Sequence, residues 1–364
     1  MMLKQEIRNR KLPDLFYFQD GSPVTLSTWN ARRKELISLF CAETYGILPP
    51  APLAWNATLE TSEENFCAGK ATLSKVLLTV QLEQGTFSFP AYTVIPKTDA
   101  PCPAFLHINF RDNIPDRYMP SEEICDNGFA VVSFCYQDVT SDDQDFSSGL
   151  AGLLHLAENR TPSSPGKIAL WAWAAMRVMD YIQTLQMVDF QHIAVVGHSR
   201  LGKTALLTGA LDDRFFLTIS NDSGCDGAAL SRCKSGETVQ DICRSFPYWF
   251  CPNHLVYAKN ESALPFDQHA LLALIAPRLA YVGSAVEDSW ADPISEYLSC
   301  VAASPAYQLL GVPGFCHPDR YPKPGDSFHQ GYIAYHLRHG CHYFSRIDWQ
   351  QYMQFFHDRI APAT

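Results

Sequence analysis

The chain has 364 residues, 47% of them hydrophobic, enough for one large α/β domain or two small ones around a sizeable core. With 38 acidic side chains against 28 Lys and Arg, the formal net charge is −10. No basic stripe exists to neutralise phosphates, which excludes nucleic acid and anionic membranes as partners. No run approaches the length of a transmembrane helix.

The opening Met1-Met2-Leu3-Lys4-Gln5-Glu6 enters charged residues directly, with no apolar segment and no cleavage site. The twelve cysteines are scattered without paired metal-ligand spacing. The expectation is a cytoplasmic protein with reduced thiols, no bound metal and no cofactor. Residues 27–46 read as an amphipathic helix with Ile37, Leu39, Phe40 and Ala42 on its apolar side, stopped by Gly46 and Pro49-Pro50. Residues 1–60 are then a helical extension packed on a single domain spanning 1–364. The stretches 71–82 and 86–95 alternate as antiparallel strands do.

From residue 103 the pattern changes to short apolar runs at 104–108, 130–134, 193–196, 217–220, 279–282 and 307–310, with helices fitting between them, the clearest at 168–182. Parallel strands covered on both faces read this way. The expected architecture is α/β: a doubly wound, mostly parallel sheet with helices on both faces. Its ligands bind beyond the carboxyl ends of the strands. No repeat and no linker splits off a second domain.

The third of these runs carries chemistry. The run 193–196 meets Gly197, the chain turns through Ser199, and 204–211 reads as a helix. A tight strand-to-helix turn lifts a serine hydroxyl off the end of a sheet, and the helix N-terminus faces developing negative charge. The second glycine, Gly202, falls three residues after the serine rather than two. Arg200 and Lys203 add two cations, and Lys203 lies where the helix dipole disfavours positive charge by some tenths of a kcal/mol. A cation in that place points to a ligand.

The segment Gly197-x-Ser199-Arg200-x-Gly202-Lys203 resembles the signature of the glucuronoyl esterases, carbohydrate esterase family 15, which are α/β-hydrolases. The resemblance continues through Ser220-Asn221-Asp222-Ser223-Gly224-Cys225, Trp249-Phe250-x-Pro252-Asn253 and Asp288-x-Trp290-x-Asp292-Pro293. It ends in Tyr335-His336-Leu337-Arg338-x-Gly340-x-His342 with Asp348-Trp349, so that it covers most of 90–360. It implies a three-layer α/β-hydrolase fold and a serine nucleophile, Ser199.

Such a serine needs a histidine base oriented by a carboxylate. In this architecture the base follows the last strand. That strand is expected to end near Gly311, and Ser345-Arg346-Ile347-Asp348 reads as the capped start of the final helix. The intervening loop of about thirty residues, a length uncommon without a function, holds His317, His329, His336, His339 and His342. Composition cannot choose among them; His342 is nearest the helix and matches the family position. For the acid, Glu287, Asp288 and Asp292 cluster after 279–282, with Asp288 best spaced and Asp292 a turn residue before Pro293. The resemblance offers Asp222 as a second position, and both stay open with Asp288 favoured for reach.

The backbone N–H of Arg200 is the expected oxyanion donor, and the resemblance adds the Arg200 side chain. It also implies substrate contacts at Lys203, Trp290 and Trp249: the ammonium on sugar hydroxyls, and Trp290 as a flat face for a pyranose. Fungal members carry a glutamate just before the Trp-Phe pair; here Arg244-Ser245-Phe246-Pro247-Tyr248 stands there instead. The leading expectation is a serine esterase that cleaves carbohydrate esters, 4-O-methyl-glucuronoyl esters above all. The alternative is an acetyl or other acyl-sugar esterase with the same machinery, and a third reading is a sugar-binding relative without catalysis. The expected partner is a small or oligosaccharide ester; oligomeric state is left open.

Overall fold

The structure is a computed structural model and describes residues 2–360. Ten strands form one sheet: β1 (Ala54–Phe66), β2 (Ala71–Leu82), β3 (Gly85–Pro96), β4 (Cys102–Asn109), β5 (Ala130–Cys135), β6 (Val188–His198), β7 (Leu217–Asn221), β8 (Leu279–Ala285), β9 (Ser327–Phe328) and β10 (Ile333–Arg338). Their order is β1-β2-β3-β5-β4-β6-β7-β8-β10-β9. All pairings from β5 to β10 are parallel, while β1–β3 and β9 run antiparallel at the two ends. The expected doubly wound sheet is therefore present, with an antiparallel ribbon added to one side.

Alternation along the parallel strands feeds two cores. In β6, Ile193 and Val195 join the core that contains the Lys167–Ile182, Arg200–Leu211 and Pro293–Leu309 helices. Ala194 and Val196 join the opposite one, built on Phe105, Phe129 and the Arg346–Ile360 helix through Trp349, Tyr352 and Phe356. Because both faces are covered, every residue of β5, β7, β8 and β10 is buried. The parallel strands thus form a fixed platform whose carboxyl ends can hold side chains in place.

The N-terminal region differs from expectation in three respects. The helical stretch begins with a 3₁₀ turn at Leu26–Thr28, continues as an α-helix at Trp29–Phe40 and ends in a π turn at Cys41–Tyr45. Its buried face is Trp29, Leu36 and Phe40, with Phe40 against Phe266 at 4.0 Å; Ile37, Leu39 and Ala42 are only partly covered. The extension also stops short of residue 60, because β1 begins at Ala54.

A larger correction concerns the last strand. The run 307–310 does not form one; it ends the Pro293–Leu309 helix, which continues past Pro305. A four-residue apolar run cannot be told from a buried helix end by periodicity. The last parallel strand is β10, inside the stretch expected to be loop, and it carries His336 and Arg338.

Candidate active site

Ser199 sits between β6 and the Arg200–Leu211 helix with φ +58° and ψ −127°. A positive φ at a residue with a Cβ is strained and persists where neighbours over-determine it. Here the Ser199 N–H donates to Asn221 O of β7 at 2.9 Å, and the N–H groups of Gly202 and Lys203 return to Ser199 O. A Cβ on Gly197 would lie 2.1 Å from Leu201 O, so the turn requires glycine there. At Gly202 a Cβ would stand 3.0 Å from Ser223 Cβ and 3.1 Å from Asn221 O. The glycine three residues after the serine is the point where the helix passes over the end of β7, which explains its spacing.

The serine opens on a cavity of about 310 Å³ with Arg200, Lys203, Asp222, Glu237, Trp249, Asp288, Trp290 and His342 in its walls. A larger cavity of about 730 Å³ lies between the N-terminal segment and the Pro293–Leu309 helix. The chemistry belongs to the smaller one, which holds the elbow and both candidate acids.

His342 lies between β10 and the terminal helix, and its Nδ1 is 2.6 Å from Asp288 Oδ2, just after β8. The imidazole side chain is 44% exposed and the carboxylate 5%, so the carboxylate is fixed and the imidazole faces solvent. Burial pushes Asp288 upward, but the hydrogen bond and charge of His342 outweigh it and hold the carboxyl below its ordinary range. Beneath His342 lies His198, with ring centroids 4.5 Å apart. Its Nδ1 is 2.7 Å from Asn221 Oδ1. Burial, then the neighbouring His342, lowers it to about 3, so it is neutral near pH 7.

Asp222 follows β7 with φ +43° and stands beside this pair. Its Oδ2 accepts from Arg338 Nη2 at 3.0 Å, and its Oδ1 is buried without a partner. Burial, with Asp348 and Glu296 as like-charged neighbours, raises it well above the carboxylate range despite Arg338. One donor atom each from Asp222, Asp288 and His342 lie within 4.8 Å of one another, close enough to close on a metal ion. His342 and Arg338 each engage one oxygen of these two carboxylates, an arrangement suited to proton transfer.

The remaining histidines of the 312–345 stretch are committed elsewhere or exposed. His336 is buried in β10 between Tyr281 OH and Asp348 Oδ1, at 3.0 and 2.8 Å. His329 meets Tyr281 OH at 2.6 Å, His317 meets Pro318 O, and His339 is exposed. Asp292 is a turn residue as expected: at φ +63° it caps the next helix by accepting from Ser295 N. Glu287 is exposed.

Lys203 is buried in the cavity wall, where its Nζ donates to the carbonyls of Ser223 (2.5 Å) and Cys225. The dipole disfavours it there, and those carbonyls offset that cost. Trp290 is 56% exposed and offers an open ring face at the cavity edge. Trp249 does not: it is buried, stacked 3.9 Å from Phe246 at 3° between planes, and its N–H is bonded to Asp142. Arg200 lies over that indole at 4.8 Å and pairs with the Asp142 carboxylate.

Sequence reasoning missed Glu237 and Arg338. Glu237 reaches the cavity from the turn at Gly236, where a Cβ would lie 2.4 Å from Ser289 O and Trp290 O, and its N–H donates to Trp290 O. A carboxylate is thus present in the wall although none precedes the Trp-Phe pair. The signal was the Gly236-Glu237 dipeptide, visible only once this turn packs against Trp290.

With this geometry in place, the comparisons with known proteins concern the same machinery. The family model described as fungal glucuronyl esterase matches residues 78–311, which contain Ser199, Asp222 and Asp288. A 4-O-methyl-glucuronoyl methylesterase of Wolfiporia cocos is 32% identical over 84% of this chain and 74% of its own length. The solved glucuronoyl esterase from Solibacter usitatus superposes with a TM-score of 0.89 at 31% identity, covering 96% of this chain and 98% of that one. A CE15 esterase from a marine bacterial metagenome, described as promiscuous, gives 0.86 at 34% identity, covering 95% and 96%. An elbow serine, a carboxylate-bound histidine and this likeness lead to one conclusion: the chain belongs to the glucuronoyl esterases of carbohydrate esterase family 15, and is a carbohydrate ester hydrolase.

Proposed function

We propose that the substrate is a glucuronoyl ester, 4-O-methylated as in the named relatives, and that hydrolysis proceeds through an acyl-enzyme on Ser199. Ser199 Oγ attacks the ester carbonyl while His342 takes its proton, and Asp288 holds the imidazole and stabilises its charged form. The developing oxyanion accepts from the Arg200 N–H, which has no intrahelical partner at the first helical position. His342 then protonates the departing alcohol, and water repeats the sequence in reverse. Lys203 and Glu237 serve sugar hydroxyls, and Trp290 lies under the pyranose.

The observation that carries this reading is the 2.6 Å contact between His342 and Asp288 in the cavity where the Ser199 elbow opens. Ser199→Ala and His342→Ala should each lower kcat by about four orders of magnitude or more in folded protein. Substantial turnover by either variant would remove that residue from the mechanism.

A second reading, a broader acyl-sugar esterase, is favoured by Phe246 near the place of the fungal glutamate and by the description of the marine relative. The two differ in product charge. If the uronate reading is right, glucuronic acid inhibits competitively and more strongly than xylose, and Lys203→Ala weakens that inhibition. Equal, negligible inhibition alongside good turnover of acetyl esters would leave only the broader esterase.

A further inference from the structure

The Arg200 guanidinium is restrained by two different devices. The Arg200 guanidinium carbon lies 4.8 Å from the Trp249 ring centroid, with Phe110 and Phe246 at 5.7 and 5.8 Å. Ring contacts at these distances leave the group free to slide and to turn. The carboxylate of Asp142, whose side chain is 6% exposed, removes this freedom by pairing with Arg200 Nη1.

Asp142 is itself held at every oxygen. Tyr136 OH donates to Oδ2 at 2.8 Å, Trp249 Nε1 to Oδ1 at 2.7 Å, and Tyr248 OH to its backbone carbonyl at 3.2 Å. One carboxylate therefore ties the arginine to the neighbouring indole. Its loop is anchored in turn by buried Lys167, which donates to Thr140 Oγ1 at 2.8 Å, Ser141 Oγ at 3.3 Å and Asp145 O, and lies 4.5 Å over the Phe146 ring. Trp171 Nε1 donates to Thr140 O from the same helix. So much fixation around an aspartate remote from the nucleophile in sequence exceeds what closing a surface loop requires.

We propose that Asp142 is a positioning residue for oxyanion stabilisation: it holds the Arg200 guanidinium in the orientation that meets the tetrahedral intermediate. The proposal rests on the esterase reading above, with the Arg200 side chain beside the oxyanion. A preorganised donor stabilises charge without reorganising at the moment of reaction, and losing one costs about 10²–10³ in kcat. Loosening such a donor costs part of that.

The test is a double-mutant cycle between Asp142→Asn and Arg200→Ala, assayed on a glucuronoyl methyl ester. Asparagine keeps an acceptor for Trp249 while removing the charge that grips Arg200. Asp142→Asn is expected to lower kcat about tenfold or more with KM changed less than about twofold, and to cost less than about twofold when Arg200 is already alanine. Asp142→Glu should restore part of the loss. Equal losses in both backgrounds, or a rise in KM at constant kcat, would overturn the proposal and leave Asp142 a loop support. If Asp142→Asn does not fold, Tyr136→Phe removes one anchor of the carboxylate and must show the same dependence on Arg200. Retained activity in Ser199→Ala would instead refute the esterase mechanism, so the two failures are distinguishable.

Discussion

The turns after β7 and after β8 each deliver an aspartate to the same histidine, and their partners make them opposites. Asp288 faces a half-exposed imidazole, which holds its carboxyl below the ordinary range. Asp222, a few ångströms away, is sealed in among Arg338, Asp348 and Glu296 and is driven upward. Arg338 is shared with Asp348, its Nε 2.9 Å from both oxygens, and Asp348 is lowered despite its burial, first by His336 and then by Arg338. Two carboxylates at equivalent strand ends are thus pushed in opposite directions by their partners, Asp288 down and Asp222 up. Proximity to His342 alone does not distinguish them; their partners do.

The largest test of this contrast is in turnover. Asp288→Asn should lower kcat by about 10²–10⁴, because an amide leaves the imidazole in the wrong tautomer. Asp222→Asn should cost less than about tenfold, and the double variant should fall below either. Collapse of Asp222→Asn beside an active Asp288→Asn would exchange the two roles.

A second test is in stability, where the order reverses. Arg338→Met leaves Asp348 and Asp222 buried without their shared cation, and chemical denaturation should report a loss of about 3–5 kcal/mol. Asp288→Asn keeps the shape of a buried side chain whose partner, His342, is half-exposed, and should stay within about 1 kcal/mol of wild type. Equal losses would mean that both turns are structural.

The smallest effect sharpens the electrostatic part. Glu296 accepts from Gly224 N at 2.9 Å and from Ser284 Oγ, supporting the Asp222 turn from below. Burial raises its carboxyl from 4.5 to about 7. The folded protein therefore holds this proton more tightly than the unfolded chain. Its stabilising contribution is complete below about pH 4.5 and is lost as pH rises through about 7. Glu296→Gln should raise the melting temperature at pH 8 relative to wild type and close that gap at pH 5; an unchanged difference would remove Glu296 from the titration.

Much of this was legible before folding. The buried strands around β4, β5, β6, β7 and β8 announced themselves as apolar runs, and Ser199, His342 and Asp288 fall together in space as their order along the chain suggested. β10 stayed hidden because His336 and Arg338 break its apolar run, and partners distant in sequence, Tyr281, Asp348 and Asp222, make those polar groups tolerable in a buried strand. β1 stayed hidden for the opposite reason. Twelve of its thirteen residues are exposed, so no alternation marks it. Trp249 lines the cavity, but the sequence cannot show that Phe246 covers one of its faces.

β1 and β9 also decide how the sheet ends. A long open edge presents unpaired amides and carbonyls that can template pairing with another chain. β9 avoids this by brevity, being two residues long. β1 is thirteen residues long and carries exposed Leu59, but its register against β2 breaks twice, at Leu59/Thr61 and Glu63/Phe66, and Glu60, Glu63 and Glu64 line its second half. Bulges and like charges are what keep such an edge from stacking on its own copies. Its protection against aggregation is therefore partly ionic, and it weakens as salt screens those charges.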